Sequence, residues 1–79
     1  MTKTSISIRP LVRDLMQAAP SRSFTIRALW RVIHADDPAV TEVDVDAALT
    51  WHHGQGNVTR TYNHELELDE YSLTERGRK

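Results

Sequence analysis

Apolar residues near the start of the chain recur at helical spacing. One face of a helix takes Ile8, Leu11, Val12, Leu15, Met16 and Ala19. Ser7 is placed to cap this helix, Pro10 would then fall in its first turn, and Pro20 ends it. The pattern therefore predicts a first amphipathic helix.

Two further helices are predicted from caps and apolar spacing. Thr25 can cap a second helix, which ends at Asp36-Asp37-Pro38 and has as its apolar face Ile26, Leu29, Trp30 and Ile33. Thr41 can cap a third helix, with Asp44 as its capping-box partner. The inward face of the third helix is Val45, Ala48, Leu49 and His52, and its end is marked by Gly54 and Gly56. Phe24 is expected in a very short strand.

The pattern changes from helical to extended after the third helix. Residues 58–62 are rich in Thr, Val and Tyr, which favour a strand, and Asn63-His64 is a candidate turn. The apolar residues that follow fall in two alternation phases, Leu66 with Leu68 and Tyr71 with Leu73. We therefore expect a bulge or bend near Asp69-Glu70.

Three helices followed by a hairpin is the order of a winged helix-turn-helix, an α+β fold with a C-terminal β-hairpin wing. The local wording, "GNVTR" and "YSLTERGRK", resembles the "G-x-V-x-R … Y-x-L-T-x-x-G" of small bacterial regulators of the MarR and PadR type over residues 24–78. The resemblance implies that Tyr71 and Leu73 are core residues of the last strand. It also implies that Arg60 is a wing residue near phosphates and that the protein is a DNA-binding transcription regulator.

Length and composition limit which classes of protein this chain can belong to. The 79 residues form a single domain, 1–79, in which residues 1–5 and 76–79 are expected to fray. The chain has no cysteine, and hence neither a disulfide frame nor a thiolate metal site. It has neither a bilayer-spanning apolar run nor a signal-peptide pattern, so a cytoplasmic protein without a membrane partner is expected.

Basic and acidic residues are concentrated in different parts of the chain. Residues 1–35 carry a net +5, residues 36–71 a net −8 and residues 72–79 a net +2. No Arg or Lys lies from Val32 to Thr59, although the third helix and the wing of a DNA-binding winged helix need cations for phosphates. Acids at Glu42 and Asp44 are also explained by the helix macrodipole, and a solvated acidic wing is the ordinary alternative for the rest.

Two hypotheses follow from this layout. The favoured one is a non-catalytic module that binds a basic protein surface through Val43, Asp44, Asp46, Ala47, Thr50, Trp51, Glu65, Glu67 and Asp69. Phage-encoded inhibitors of nucleic-acid-binding defence complexes, such as anti-CRISPR proteins, are small proteins of this kind; size and charge layout, not sequence resemblance, suggest that class. Trp51 fits either the core or the surface. The alternative is a regulator that binds double-stranded DNA through Arg27, Arg31, Arg60, Arg76 and Arg78. Either a monomer or a homodimer is compatible with the sequence.

The sequence contains no pattern that indicates a catalytic site. The four histidines, which include the adjacent His52 and His53, contain no i, i+4 pair, and we expect His52 partly buried and His53 exposed. No phosphate-binding loop and no acid–base dyad is indicated, so we predict no enzyme, no metal site and no cofactor.

Overall fold

The computed structural model describes residues 5–78 and has an α+β fold. Three helices come first, α1 (Ser5–Gln17), α2 (Ile26–Asp36) and α3 (Glu42–Gly54). A two-stranded antiparallel hairpin follows, β1 (Val58–Asn63) and β2 (Leu68–Leu73), and then a short helix α4 (Glu75–Arg78). The predicted order of three helices and a hairpin is confirmed, and it is consistent with a winged-helix layout.

The first helix differs from its prediction at its start and on its buried face. It begins at Ser5, so Ser7 is not its cap and Pro10 lies beyond its first turn. The fully buried line is Ile8, Val12 and Met16, whereas the predicted core residue Leu11 is 37% exposed.

The polar neighbours of that line explain the rotated face of α1. Arg9, Arg13 and Gln17 are half-buried, each one position after a buried residue. Arg9 packs on the Trp51 ring, and the side chains of Arg13 and Gln17 both donate to the carbonyl oxygen of Gly77. Because these polar side chains are half-buried on one flank of the buried line, Leu11 on the other flank is left exposed.

The second and third helices begin where their caps predict. Thr25 Oγ1 accepts from the backbone N–H of Ala28 at 3.1 Å. At α3 the capping box is complete, with 3.2 Å from Asp44 N to Thr41 Oγ1 and 3.0 Å from Thr41 N to Asp44 Oδ2. The predicted inward face of α3 is confirmed, because all four of its residues are buried: Val45, Ala48, Leu49 and His52.

The hairpin has an uninterrupted register from Val58 opposite Leu73 to Asn63 opposite Leu68. The predicted bulge or bend near Asp69-Glu70 is therefore wrong. Leu66 lies in the connecting turn, and Leu68, the first residue of β2, is 37% exposed on the face opposite to that of the buried Tyr71 and Leu73, so both alternation phases fit one regular strand. Asn63 Oδ1 fixes the turn by accepting from the backbone N–H groups of Glu65 (2.9 Å) and Leu66 (3.1 Å).

Phe24 forms the short strand predicted for it. It makes an isolated bridge to Tyr71, with both backbone hydrogen bonds at 2.8 Å. Tyr71 and Leu73 are buried in the core, as the resemblance implied, together with Leu29, Ile33, Val40 and Val58. This bridge fixes β2 against the start of α2.

The C-terminal segment forms the short helix α4, in which Gly77 is buried. The predicted fraying of residues 76–78 stays a prediction. The carbonyl oxygen of Gly77 accepts from Arg13 Nε at 3.3 Å and from Gln17 Nε2 at 3.0 Å, which anchors α4 on α1. Ser5 lies in α1, and the fraying expected of residues 1–4 and 79 concerns positions outside the described residues. Among residues 5–78 no helix has the length and apolar character needed to cross a membrane.

Candidate interaction groove between the third helix and the hairpin

A groove of about 660 Å³ lies where the first turns of α2 and α3 face the tip of the hairpin. The capping residues Thr25 and Thr41 fix where the two helices begin, and the turn at Asn63 fixes how far the hairpin extends. The groove is therefore built from three separate stretches of chain.

The charge of the groove is strongly negative. Four acids line it, Glu42, Asp46, Glu67 and Asp69, and the one cation among its described lining residues is Arg27. Arg27 Nε donates to Glu42 Oε1 at 3.1 Å. An exposed ion pair of this kind adds little stability, but it neutralises the arginine where a phosphate would need it. Three carboxylates remain without a basic neighbour within the groove lining.

Exposed apolar side chains lie among these acids. Val43 is 76% exposed, and Tyr62 and Leu68 on the hairpin are exposed as well. Tyr62 stands opposite Asp69 across the hairpin, so the ring and the carboxylate share one face of the sheet. Exposed apolar surface rimmed by polar groups is typical of a protein interface.

The structure brings together some of the predicted protein-binding residues and separates others. Val43, Asp46, Glu67 and Asp69 all line the groove. Ala47 and Thr50 are exposed on α3 but outside the groove lining. Asp44 is half-buried and engaged in the capping box, and Glu65 lies in the hairpin turn.

Trp51 lies away from the groove, against α1. Its ring is covered by the guanidinium of Arg9, which lies 4.3 Å from the ring centroid, and it meets the His52 ring edge-on at 5.0 Å. It is 37% exposed, so it is a surface residue with one covered side. Trp51 lines a different cleft, with Arg9 and His52, from the groove that Val43 and Asp46 line, and its place at the centre of the partner-binding patch stays a prediction.

The five arginines of the DNA hypothesis are distributed over three elements. Arg27 lies in the groove and Arg31 is exposed one turn later on α2. Arg60 is exposed on β1, opposite Tyr71. Arg76 and Arg78 belong to α4, where an Arg78 side-chain nitrogen donates to the carbonyl oxygen of Pro20 at 3.4 Å.

Sequence reasoning missed the contributions of Ile26, Tyr62 and Leu68 to the groove. Ile26 was predicted on the apolar face of the second helix, and it is half-buried, packed against the core while also lining the groove. Tyr62 could have been found from the hairpin register, because a turn over residues 64–67 places it opposite Asp69. The predicted Asn63-His64 turn overlaps the observed turn only at His64, and as a two-residue turn it would place Tyr62 opposite Glu65.

His52 is buried and hydrogen-bonded within the fold. It is 3% exposed, its Nε2–H donates to the carbonyl oxygen of Arg9 at 2.8 Å, and its Nδ1 accepts from Asn57 Nδ2 at 2.9 Å. Both ring nitrogens are therefore used within the fold, while His53 is exposed as predicted. In the described part of the chain no three His, Asp or Glu side chains form a group that could hold a metal ion.

Comparison with protein-family models, with curated protein sequences and with solved structures finds no match for this chain.

Proposed function

We propose that this protein is a non-catalytic interaction module of the winged-helix type that binds a basic surface of a protein partner through the acidic groove. The observation that carries the proposal is the convergence of Asp46, Glu67 and Asp69 around exposed apolar side chains. Apolar contact supplies affinity in such an interface, and the carboxylates select and steer a basic partner.

Electrostatics favour a protein over DNA at this surface. Two like charges about 7 Å apart at an effective dielectric of about 40 repel by roughly 1 kcal/mol. Asp46, Glu67 and Asp69 set against a row of phosphates would therefore oppose binding by a few kcal/mol in total. Arg27, the one cation among the described residues that line the groove, is already paired with Glu42.

The charge of the groove also suggests the class of partner. Proteins that hold nucleic acid present cations spaced for phosphates, and a surface carrying several carboxylates can occupy those cations. An inhibitor of a nucleic-acid-binding complex, similar in role to anti-CRISPR proteins, is therefore the form of this function that we favour.

The test compares a basic peptide with duplex DNA. A ten-residue oligo-lysine peptide should bind the parent protein at low salt and bind the Asp46→Asn/Glu67→Asn variant more weakly. A matched control is Asp36→Asn/Glu75→Gln, which removes the same charge from residues outside the groove lining and should retain more of the peptide affinity than the groove variant.

Duplex DNA gives the opposite expectation. The parent should show no salt-sensitive shift of duplex DNA at two salt concentrations. Tight duplex binding at low salt that weakens steeply as salt rises would overturn the proposal in favour of the DNA-binding regulator. Arg60→Ala would then test the wing contact that the family resemblance implies.

A further inference from the structure

The two strands of the hairpin differ in what lies beside them. The far edge of β2 is occupied by Phe24, which exchanges two backbone hydrogen bonds with Tyr71. Within residues 5–78 the far edge of β1 has no strand beside it, since the sheet order is β1-β2. The open edge of this sheet is therefore the outer side of β1.

The bridge to Phe24 shows which backbone groups of β1 point outward. The N–H and C=O of Tyr71 point toward Phe24, away from β1, so Tyr71 and its opposite residue Arg60 form a non-hydrogen-bonded pair. The N–H and C=O of Arg60 therefore point away from β2. The N–H and C=O of Tyr62, two residues further along β1, also point away from β2, whereas those of Thr61 between them form hydrogen bonds with β2.

This edge has few of the features that usually block strand pairing. Residues 59–62 of β1 read Thr-Arg-Thr-Tyr, with no Pro, no Lys and no bulge in the register. Thr and Tyr favour extended structure, and all four side chains are exposed. Arg60 carries the one charge along this stretch.

The open edge borders the acidic groove. Tyr62 lines the groove and shares a face of the sheet with Asp69. A strand added to β1 would place the residue opposite Tyr62 on that same face. A long cationic side chain there would lie along the Tyr62 ring and extend toward the carboxylate of Asp69.

We propose that the outer edge of β1 docks an extended segment of the partner as an added strand, with a Lys or Arg opposite Tyr62. The outward groups of Arg60 and Tyr62 supply main-chain hydrogen bonds, and the groove selects the basic side chain. The residue opposite Arg60 is uncharged or acidic. The basic character of the segment rests on the proposed function, whereas the use of the strand edge does not.

The first experiment uses amide hydrogen exchange with a defined probe. The probe is an eight-residue peptide in which every second residue is Val and the positions between them alternate Lys and Thr, acetylated and amidated at its ends, so that a Lys opposite Tyr62 leaves a Thr opposite Arg60. Saturating peptide should slow exchange at the amides of Arg60 and Tyr62 by about tenfold or more, and leave Thr61, already bonded to β2, nearly unchanged. The same peptide with N-methyl groups on alternate residues keeps its charge and should lose this protection.

The outcomes separate the two proposals. A peptide that binds the parent without protecting Arg60 and Tyr62 refutes strand addition and leaves the acidic groove as the binding surface. Equal binding by the N-methylated peptide refutes strand addition in the same way. A peptide that fails to bind the parent even at low salt refutes both proposals.

A pair of variants at one position tests the main-chain contact directly. Arg60→Pro and Arg60→Ala remove the same charge, but only the proline removes the outward N–H, and neither touches the ladder to β2. The proline variant should bind the probe about tenfold more weakly than the alanine variant. Thermal unfolding checks that both fold, and equal affinities of the two folded variants refute the proposal. The N-methylated peptide decides the question on the parent protein alone.

Discussion

Replacing Gly77 with alanine should be among the most damaging small changes in this chain. A Cβ built at Gly77 collides with the backbone carbonyl oxygen of Asn57 and comes within 3.0 Å of Leu73 Cδ2. The first of these atoms belongs to the backbone, so the clash cannot be relieved by a side-chain rotation. Either α4 or the start of β1 must move.

The magnitude follows from the contacts that such a movement loosens. Overpacking a tight site costs about 1–3 kcal/mol. Moving α4 also weakens the bonds from Arg13 and Gln17 to the carbonyl oxygen of Gly77 and the 2.9 Å bond from Thr74 N to Asn57 O. Each bond contributes about 1 kcal/mol and is weakened rather than lost, so overpacking and the three weakened bonds together should cost about 3 kcal/mol. For a domain of this size that corresponds to a fall in Tm of about 15 °C.

Gly54→Ala is the matched control. A Cβ at Gly54 meets nothing within 4 Å, and its backbone has ordinary helical geometry at the end of α3. Alanine there should leave stability unchanged or raise it by up to about 1 kcal/mol. Urea unfolding of both variants measures the difference. A Gly77→Ala variant within about 0.5 kcal/mol of the parent would refute the close approach of α4 to Asn57.

Three further changes test the core, the hairpin turn and the α1 side of the molecule. Leu49→Ala, at a fully buried position, should cost about 2–5 kcal/mol in urea unfolding, and a change below about 1 kcal/mol would contradict the core assignment. Glu67→Asn should weaken basic-peptide binding without loss of stability, because Glu67 has φ 55° and asparagine accepts that conformation better; a lower Tm would contradict this. Trp51→Ala should lower stability by about 1 kcal/mol through loss of the Arg9 stack, yet leave peptide affinity unchanged, because Trp51 lies outside the groove; weaker peptide binding would return Trp51 to the interface.

The helices could be predicted because their signals are local. The Thr25 and Thr41 caps fix where α2 and α3 begin, and the spacing of Val45 and Leu49 fixes the inward face of α3. The start of α1 differs from its prediction because Ser7, a good capping residue in isolation, lies inside the helix, and the half-buried side chains of Arg9 and Arg13 occupy one flank of its buried face.

The candidate site was less predictable because it depends on contacts between distant elements. The acidity of α3 and the hairpin was visible in the sequence, and so was the placement of Asp46 and Glu67 on the same side. The contact of Trp51 with α1 was not, because it depends on the Arg9 side chain covering the indole ring. The outward direction of Arg60 and Tyr62 required the Phe24 bridge, which the sequence indicated only as a possible short strand.

The hydrogen bonds of His52 have a consequence for the thermodynamics of binding. The buried ring connects the main chain of α1, at Arg9, to Asn57 at the base of the hairpin, and the helix that carries His52 also forms one wall of the groove. The hairpin is therefore held against the helices in the free protein. A preorganised receptor contributes little ordering cost, so most of the conformational entropy lost on association should come from the partner segment.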